Sequence, residues 1–192
     1  MVYAGQRNND GFLAIPIATQ NQVTGSGGVS VLNRDFYGAG LRWTRKATLA
    51  GRPLTVTTGA DYDRANEGRK GYINNYGVEG ALKRDEDNSV DSVGGYLQAE
   101  WAALERLSIS AGVRYTRVGF DSKDHFICTG LTGQCAGATA VGAVTSNPDD
   151  SGSVSYSAWT PVAGVLFKAT PTLNFYANAG RSFETPTFIE LA

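Results

Sequence analysis

From Leu107 to Phe120 the chain alternates almost without a break. Leu107, Ile109, Ala111, Val113 and Tyr115 fall on one face, and Ser108, Ser110, Gly112, Arg114 and Thr116 on the other. A period of two with one apolar and one polar side predicts a strand. The preceding stretch repeats the pattern, with Val93, Leu97, Ala99 and Trp101 set against Ser92, Gly94, Tyr96, Gln98 and Glu100. A tight connection near 103–106 joins the two into a hairpin. Each arm has about a dozen residues or more, on the order of 40 Å at about 3.3 Å per residue. Soluble strands usually run about 5–6 residues, whereas a tilted strand needs about 9–11 to cross a bilayer.

The same alternation recurs along the chain. Tyr37, Ala39, Leu41, Trp43, Ala47 and Leu49 oppose Arg42, Thr44, Lys46 and Thr48. Arg45 falls on the apolar side, which requires either a side chain that snorkels to a headgroup or a bulge that shifts the phase. After a turn at Ala50–Arg52, Leu54, Val56, Thr58, Ala60 and Tyr62 alternate with Thr55, Thr57, Gly59 and Asp61. Further strands are predicted over 156–168 and 173–179, and residues 1–6 read as the end of another.

The connections form a second pattern. Tight ones lie near 50–52, 103–106 and 169–171, and long ones at about 7–34, 65–90 and 122–153. Short and long alternate, as they do between the two sides of a bacterial outer-membrane barrel. Tyr37, Tyr62, Tyr115 and Trp159 fall toward the long loops, and Trp101, Phe167 and Phe175 toward the tight turns. Two aromatic bands are the expectation for a membrane girdle. The apolar island Phe12–Ile17 is read as a loop packing on itself, and the run Lys83–Asp87 as solvated surface.

Composition narrows the classes. Basic and acidic residues number 17 and 18, so no basic excess points to nucleic acid. No apolar run is long enough for a transmembrane helix, which leaves barrel strands untouched as a possibility. The N-terminus shows no basic region followed by an apolar core, so no signal peptide is visible. One histidine, no phosphate loop and no nucleophile elbow leave an enzyme without machinery, and no cofactor or metal is assigned. Asp149 and Asp150 lack the spacing of a calcium loop. Cys128 and Cys135 lie close together in a Gly/Thr-rich segment. A disulfide closing a small loop is expected, which implies an oxidising compartment; two free thiols are the alternative.

Three stretches resemble TonB-dependent outer-membrane receptors. Leu107–Val118 is similar to that family's L-x-L-x-x-G-x-R-Y type of strand. Ser157–Gly164 is similar to its S-x-W-T-P strand start, and Asn174–Phe188 to its stretch entering an outer loop. The resemblance implies a barrel of roughly 22 strands around a plug, taking up ferric siderophores or similar chelates through the TonB complex. The chain is then expected to be all-β: a single partial barrel over 1–192, an antiparallel up-and-down segment with about seven strands of the larger type, without the plug and closing strands. Its place would be the bacterial outer membrane, its partners outer-membrane lipid, a ferric siderophore or other metal chelate, and TonB through a missing N-terminal part.

By the alternation, Arg42, Tyr96, Gln98 and Arg114 point into the lumen. Arginine suits an anionic ferric chelate through charge-assisted hydrogen bonds. The competing expectation is that these arginines pair with neighbouring carboxylates such as Asp61 and Glu100. Two other functions share part of the pattern: a passive porin-like barrel, and a soluble surface β-sandwich.

Overall fold

The computed structural model describes residues 1–187. The strands are β1 (Val2–Phe12), β2 (Val29–Leu49), β3 (Arg52–Asn75), β4 (Val78–Leu104), β5 (Leu107–Asp124), β6 (Gly152–Lys168) and β7 (Asn174–Gly180). They form one seven-stranded sheet in chain order, and every neighbouring pair is antiparallel. The last residue of the receptor-like stretch, Phe188, lies outside the described residues. Among those described there is no second sheet, so the sandwich alternative is excluded.

The register sorts the side chains into the two predicted faces. Rows of directly paired residues on one face read Leu41, Ala60, Gly95, Tyr115, Trp159 and, next below, Trp43, Thr58, Leu97, Val113, Pro161. These side chains cover nothing: Leu41 is 76% exposed, Leu97 51% and Ile109 40%. Leaving so much large apolar surface open would be costly in water. A hydrocarbon surround removes that cost, and strand ladders satisfy the backbone within it. Tyr37 and Tyr62 lie with ring centroids 6.5 Å apart, and Tyr115 and Trp159 5.0 Å apart, along the upper edge of this apolar band.

The pairing of β2 with β3 has no register shift, so Arg45 stays on the apolar face and the bulge alternative falls. The slant of the band explains its place. Followed along the pairs, Tyr37 leads to Arg64, Asp91, Gly119 and Ser155, so Trp159 sits four residues lower on β6. Strands tilted to a barrel axis produce that slant. Applied to the lower edge marked by Phe167, it brings the boundary on β2 to the level of Arg45, where a guanidinium reaches headgroups.

One expected long loop is not a loop. Residues 65–90 continue β3 and β4 as a tall hairpin, turning at Tyr76 (φ 54°) and Gly77 (φ 90°). Asn74 Oδ1 accepts a hydrogen bond from Gly77 N at 2.8 Å across that turn. β4 has 27 residues, about 90 Å of strand at about 3.3 Å each, so its upper half stands clear of the apolar band. Above the band both faces meet water, polar residues occupy both parities, and the alternation that announces a strand disappears.

Among the described residues, the cluster of buried apolar side chains lies at the upper end. The buried cluster is Val23, Phe126, Cys128, Cys135 and Ala138, with Leu82 packed against it. Phe12, Leu13 and Ile17 are exposed, so the predicted apolar island is not what packs the first loop; Gln20 and Val23 are its buried members. Gln20 Oε1 accepts from Asn74 N at 2.6 Å, an anchor only a folded hairpin can supply. The mixed-charge run is not wholly solvated either, because Lys83 is only 5% exposed.

Candidate functional site

The face opposite the lipid-like band is built from small and polar residues. One row crosses five strands as Arg42, Gly59, Tyr96, Arg114 and Thr160. The next row below contains Thr44, Thr57, Gln98, Gly112 and Val162. Arg42, Tyr96, Gln98 and Arg114 therefore share one face of the wall, with Gln98 one row below the other three. The alternation placed them there because each faces away from the apolar band.

Arg114 is the most engaged of the four. Its Nη2 donates to Asp61 Oδ2 at 2.6 Å and its Nε to Thr116 Oγ1 at 3.0 Å. The guanidinium carbon lies 5.9 Å from the Tyr96 ring centroid, within cation–π range. Gly94 makes this possible, since a Cβ there would sit 2.3 Å from Arg114 Nη2. Asp61 is thus the carboxylate partner, while Glu100 makes no ion pair among the described residues. Arg42 and Gln98 make no side-chain hydrogen bond among the described residues, and Arg42 no ion pair, which leaves their donors open.

The chain beyond β7 folds back over this wall. Residues 181–185 close a recess of about 350 Å³ lined by Arg114, Thr116, Val118, Thr160, Arg181, Ser182, Phe183 and Thr185. Arg181 N donates to Pro161 O at 3.0 Å, which fixes where the segment leaves the sheet. The lining holds two guanidiniums, four hydroxyls, one aromatic ring and no carboxylate. Such a set can receive an anionic, oxygen-rich group and stack its apolar part. The contribution of Arg181, Ser182 and Phe183 was not evident from spacing, although the same stretch had stood out as family-like.

A second recess of about 410 Å³ lies higher on the same face, against Arg69, Arg84, Glu86, Asn88, Phe120 and Asp124, with Asp150 from the loop side. Arg84 is paired with Glu86, and Arg34 Nε with Glu67 Oε2 at 2.9 Å. Burial, and then the neighbouring Arg84, lowers the Arg69 pKa. Burial raises that of Asp124, against the hydrogen bond it accepts from Phe126 N at 2.8 Å. Arg69, Arg84, Glu86 and Asn88 were missed because the sequence between 65 and 90 carried no strand signal.

Residues 2–192 match the family model described as TonB dependent receptor-like, beta-barrel. The chain belongs to this family. The family is one of outer-membrane β-barrel receptors, which are not enzymes. The rhizobactin receptor of Rhizobium meliloti (strain 1021) is 27% identical over 167 residues, covering 79% of this chain and 21% of that protein. The receptor chain thus spans about a fifth of that relative's length. The ferric citrate transporter FecA, solved in its unliganded form, superposes with a TM-score of 0.64 at 17% identity, over 92% of this chain and 23% of FecA. The open form of Fiu, the ferric-catecholate import receptor of E. coli K12, gives 0.62 at 16% identity, over 82% of this chain and 26% of that one. Both likenesses bear on the fold: the receptor segment is a partial barrel wall.

Cys128 and Cys135 are joined by a disulfide, with Cα atoms 6.0 Å apart. Cys128 and Asn147 exchange backbone hydrogen bonds at 2.9 and 3.1 Å, closing the base of their loop.

Proposed function

We propose that this chain forms one sector of the wall of a bacterial outer-membrane receptor that imports a ferric siderophore or similar iron chelate, driven by TonB. The recess between Arg114 and the 181–185 segment carries the reading. It presents donors and no carboxylate to the lumen, as recognition of an anionic chelate requires. Its level in the wall matters too, since Arg114 lies between the two aromatic bands, on the face that a ligand crossing the wall would pass. Family membership and the names of the relatives support the same reading. On this proposal residues 1–192 are one continuous domain, and the plug and the TonB contact belong to parts of the protein outside it.

The test is binding of a panel of ferric catecholates, hydroxamates and carboxylates to the whole protein in detergent, followed by intrinsic tryptophan quenching. One class is expected to bind, with Arg181→Ala and Arg114→Ala each weakening it at least about ten-fold. No binding to any ferric chelate, together with an open-channel conductance in planar bilayers, would instead establish the passive porin.

A further inference from the structure

Among the described residues, the buried cluster at the upper end joins distant parts of the chain. Val23 comes from the loop between β1 and β2, while Phe126, Cys128, Cys135 and Ala138 come from the loop between β5 and β6. The strands bearing these loops are separated by β3 and β4, whose tall hairpin supplies Leu82.

Hydrogen bonds join all three parts. Val23 N donates to Thr139 O at 2.8 Å, Thr139 N to Asn21 O at 2.9 Å, and Asn21 Nδ2 to Gly137 O at 2.8 Å. The hairpin is tied to the first loop by Gly28 N on Tyr72 O at 2.8 Å, and to the second by His125 N on Asp85 O at 2.8 Å. A register shift between Gly71 and Tyr72 leaves Lys83 as the extra residue of β4. A bulge re-aims side chains, and Lys83 Nζ stands 5.8 Å from the Phe126 centroid.

We propose that the two loops and the head of the hairpin are a single cap over the upper recess, which opens as one unit and is held shut by the Cys128–Cys135 disulfide. The first loop contributes Val23 and the hairpin Leu82 to an interior otherwise supplied by the second loop. Opening that loop therefore exposes both, loss of Val23 leaves a gap in its interior, and opening becomes cooperative. The interior of the cap is also small, five buried residues with Leu82 packed against them. So small an interior gains from a covalent closure, and the Cys128–Cys135 disulfide sits within it. Asp150 of the second loop lines the upper recess beside Asp124 at the end of β5. Thr24, Ser26 and Phe126 of the two loops border an adjoining hollow that shares Arg84 and Glu86 with it, so the state of the cap sets access to Arg69 and Phe120 beneath it.

Hydrogen exchange on the whole protein in detergent tests this without any ligand. Dithiothreitol supplies two electrons and two protons, becomes its cyclic disulfide and leaves two thiols, which are then alkylated. Exchange at Val23, in a loop with no cysteine, is expected to accelerate about ten-fold or more together with Thr139, while β3–β5 within the apolar band stays unchanged. In the reverse direction, Val23→Ser with the disulfide intact is expected to accelerate peptides spanning 126–139. Acceleration confined to the perturbed loop, in either arm, overturns the single-cap proposal. The reduction arm needs no variant, so poor folding of Val23→Ser cannot obscure the result.

Discussion

The ring of Tyr96 lies over Gly59, its direct partner across β3 and β4. A Cβ on Gly59 would fall 2.7 Å from Tyr96 Cε1 and 2.6 Å from the carbonyl oxygen of Leu41. Phe36 over Gly5 and Tyr3 beside Gly38 repeat the arrangement across β1 and β2, each pair directly opposed. An aromatic ring covers the bare backbone of a partner that must be glycine, which pins the register. Gly59→Val is expected to destabilise the sheet by about 1–3 kcal/mol, because the Leu41 carbonyl cannot move aside as a ring can. Gly40→Ala, whose nearest neighbour would be 3.9 Å away, should be nearly silent. Urea midpoints of the two variants refolded in micelles check the contrast.

Arg114 and Asp61 make an ion pair on a half-exposed wall. Asp61→Asn keeps the size and removes the charge that occupies the guanidinium. If Arg114 serves the ligand, Asp61→Asn should tighten chelate binding severalfold and Arg114→Ala should weaken it. If the pair is purely structural, both variants should bind like the parent and lose stability alike. Titration with the chelate identified from the ferric panel, alongside melting curves, separates these outcomes.

The lipid-facing assignment makes a depth-dependent prediction. Leu41→Arg places a charge inside the apolar band, and is expected to cost about 2–4 kcal/mol near the bilayer midplane and less toward either edge. Arg45→Leu removes a cation already at the boundary and should cost under about 1 kcal/mol. Folding titrations into phosphatidylcholine vesicles measure both. Equal costs at the two positions would refute the placement of the lower edge.

Asp124 gives the cap a pH dependence. Burial raises its folded pKa above the ordinary 3.8, so the folded state holds the proton more tightly than the unfolded chain. The stabilising contribution is fully present below the unfolded pKa and fades as pH rises through the folded one. Asp124→Asn retains an oxygen for Phe126 N and should remove that acid-side gain, leaving neutral-pH stability equal or slightly improved. Opening free energies from hydrogen exchange, corrected for intrinsic rates at each pH, report it.

What the sequence revealed and what it hid divide at the upper aromatic band. Below it, one face meets hydrocarbon and the other water, so Leu107 to Thr116 could be read residue by residue, and Asp61 could be named beforehand as a neighbour for Arg114. Above it, Arg64 to Val90 have no hydrocarbon on either side, so, apart from the few that the cap covers, nothing in their polarity distinguishes a strand from a loop. The turn at Tyr76 and Gly77 was the available clue. The cap was hidden for another reason, since Val23 and Phe126 meet only after five strands have paired. The recess under Arg181 was likewise invisible, because it depends on a segment folding back across the sheet.

The wall between the aromatic bands has no interior of its own. An outward side chain such as Leu97 or Val113 touches a fluid that reshapes itself around whatever apolar group is presented. An inward one such as Tyr96 meets a fixed neighbour with a fixed shape. Tolerance to substitution should therefore be lopsided along a single strand, permissive for any greasy residue at odd positions of β4 and exacting at the even ones between them.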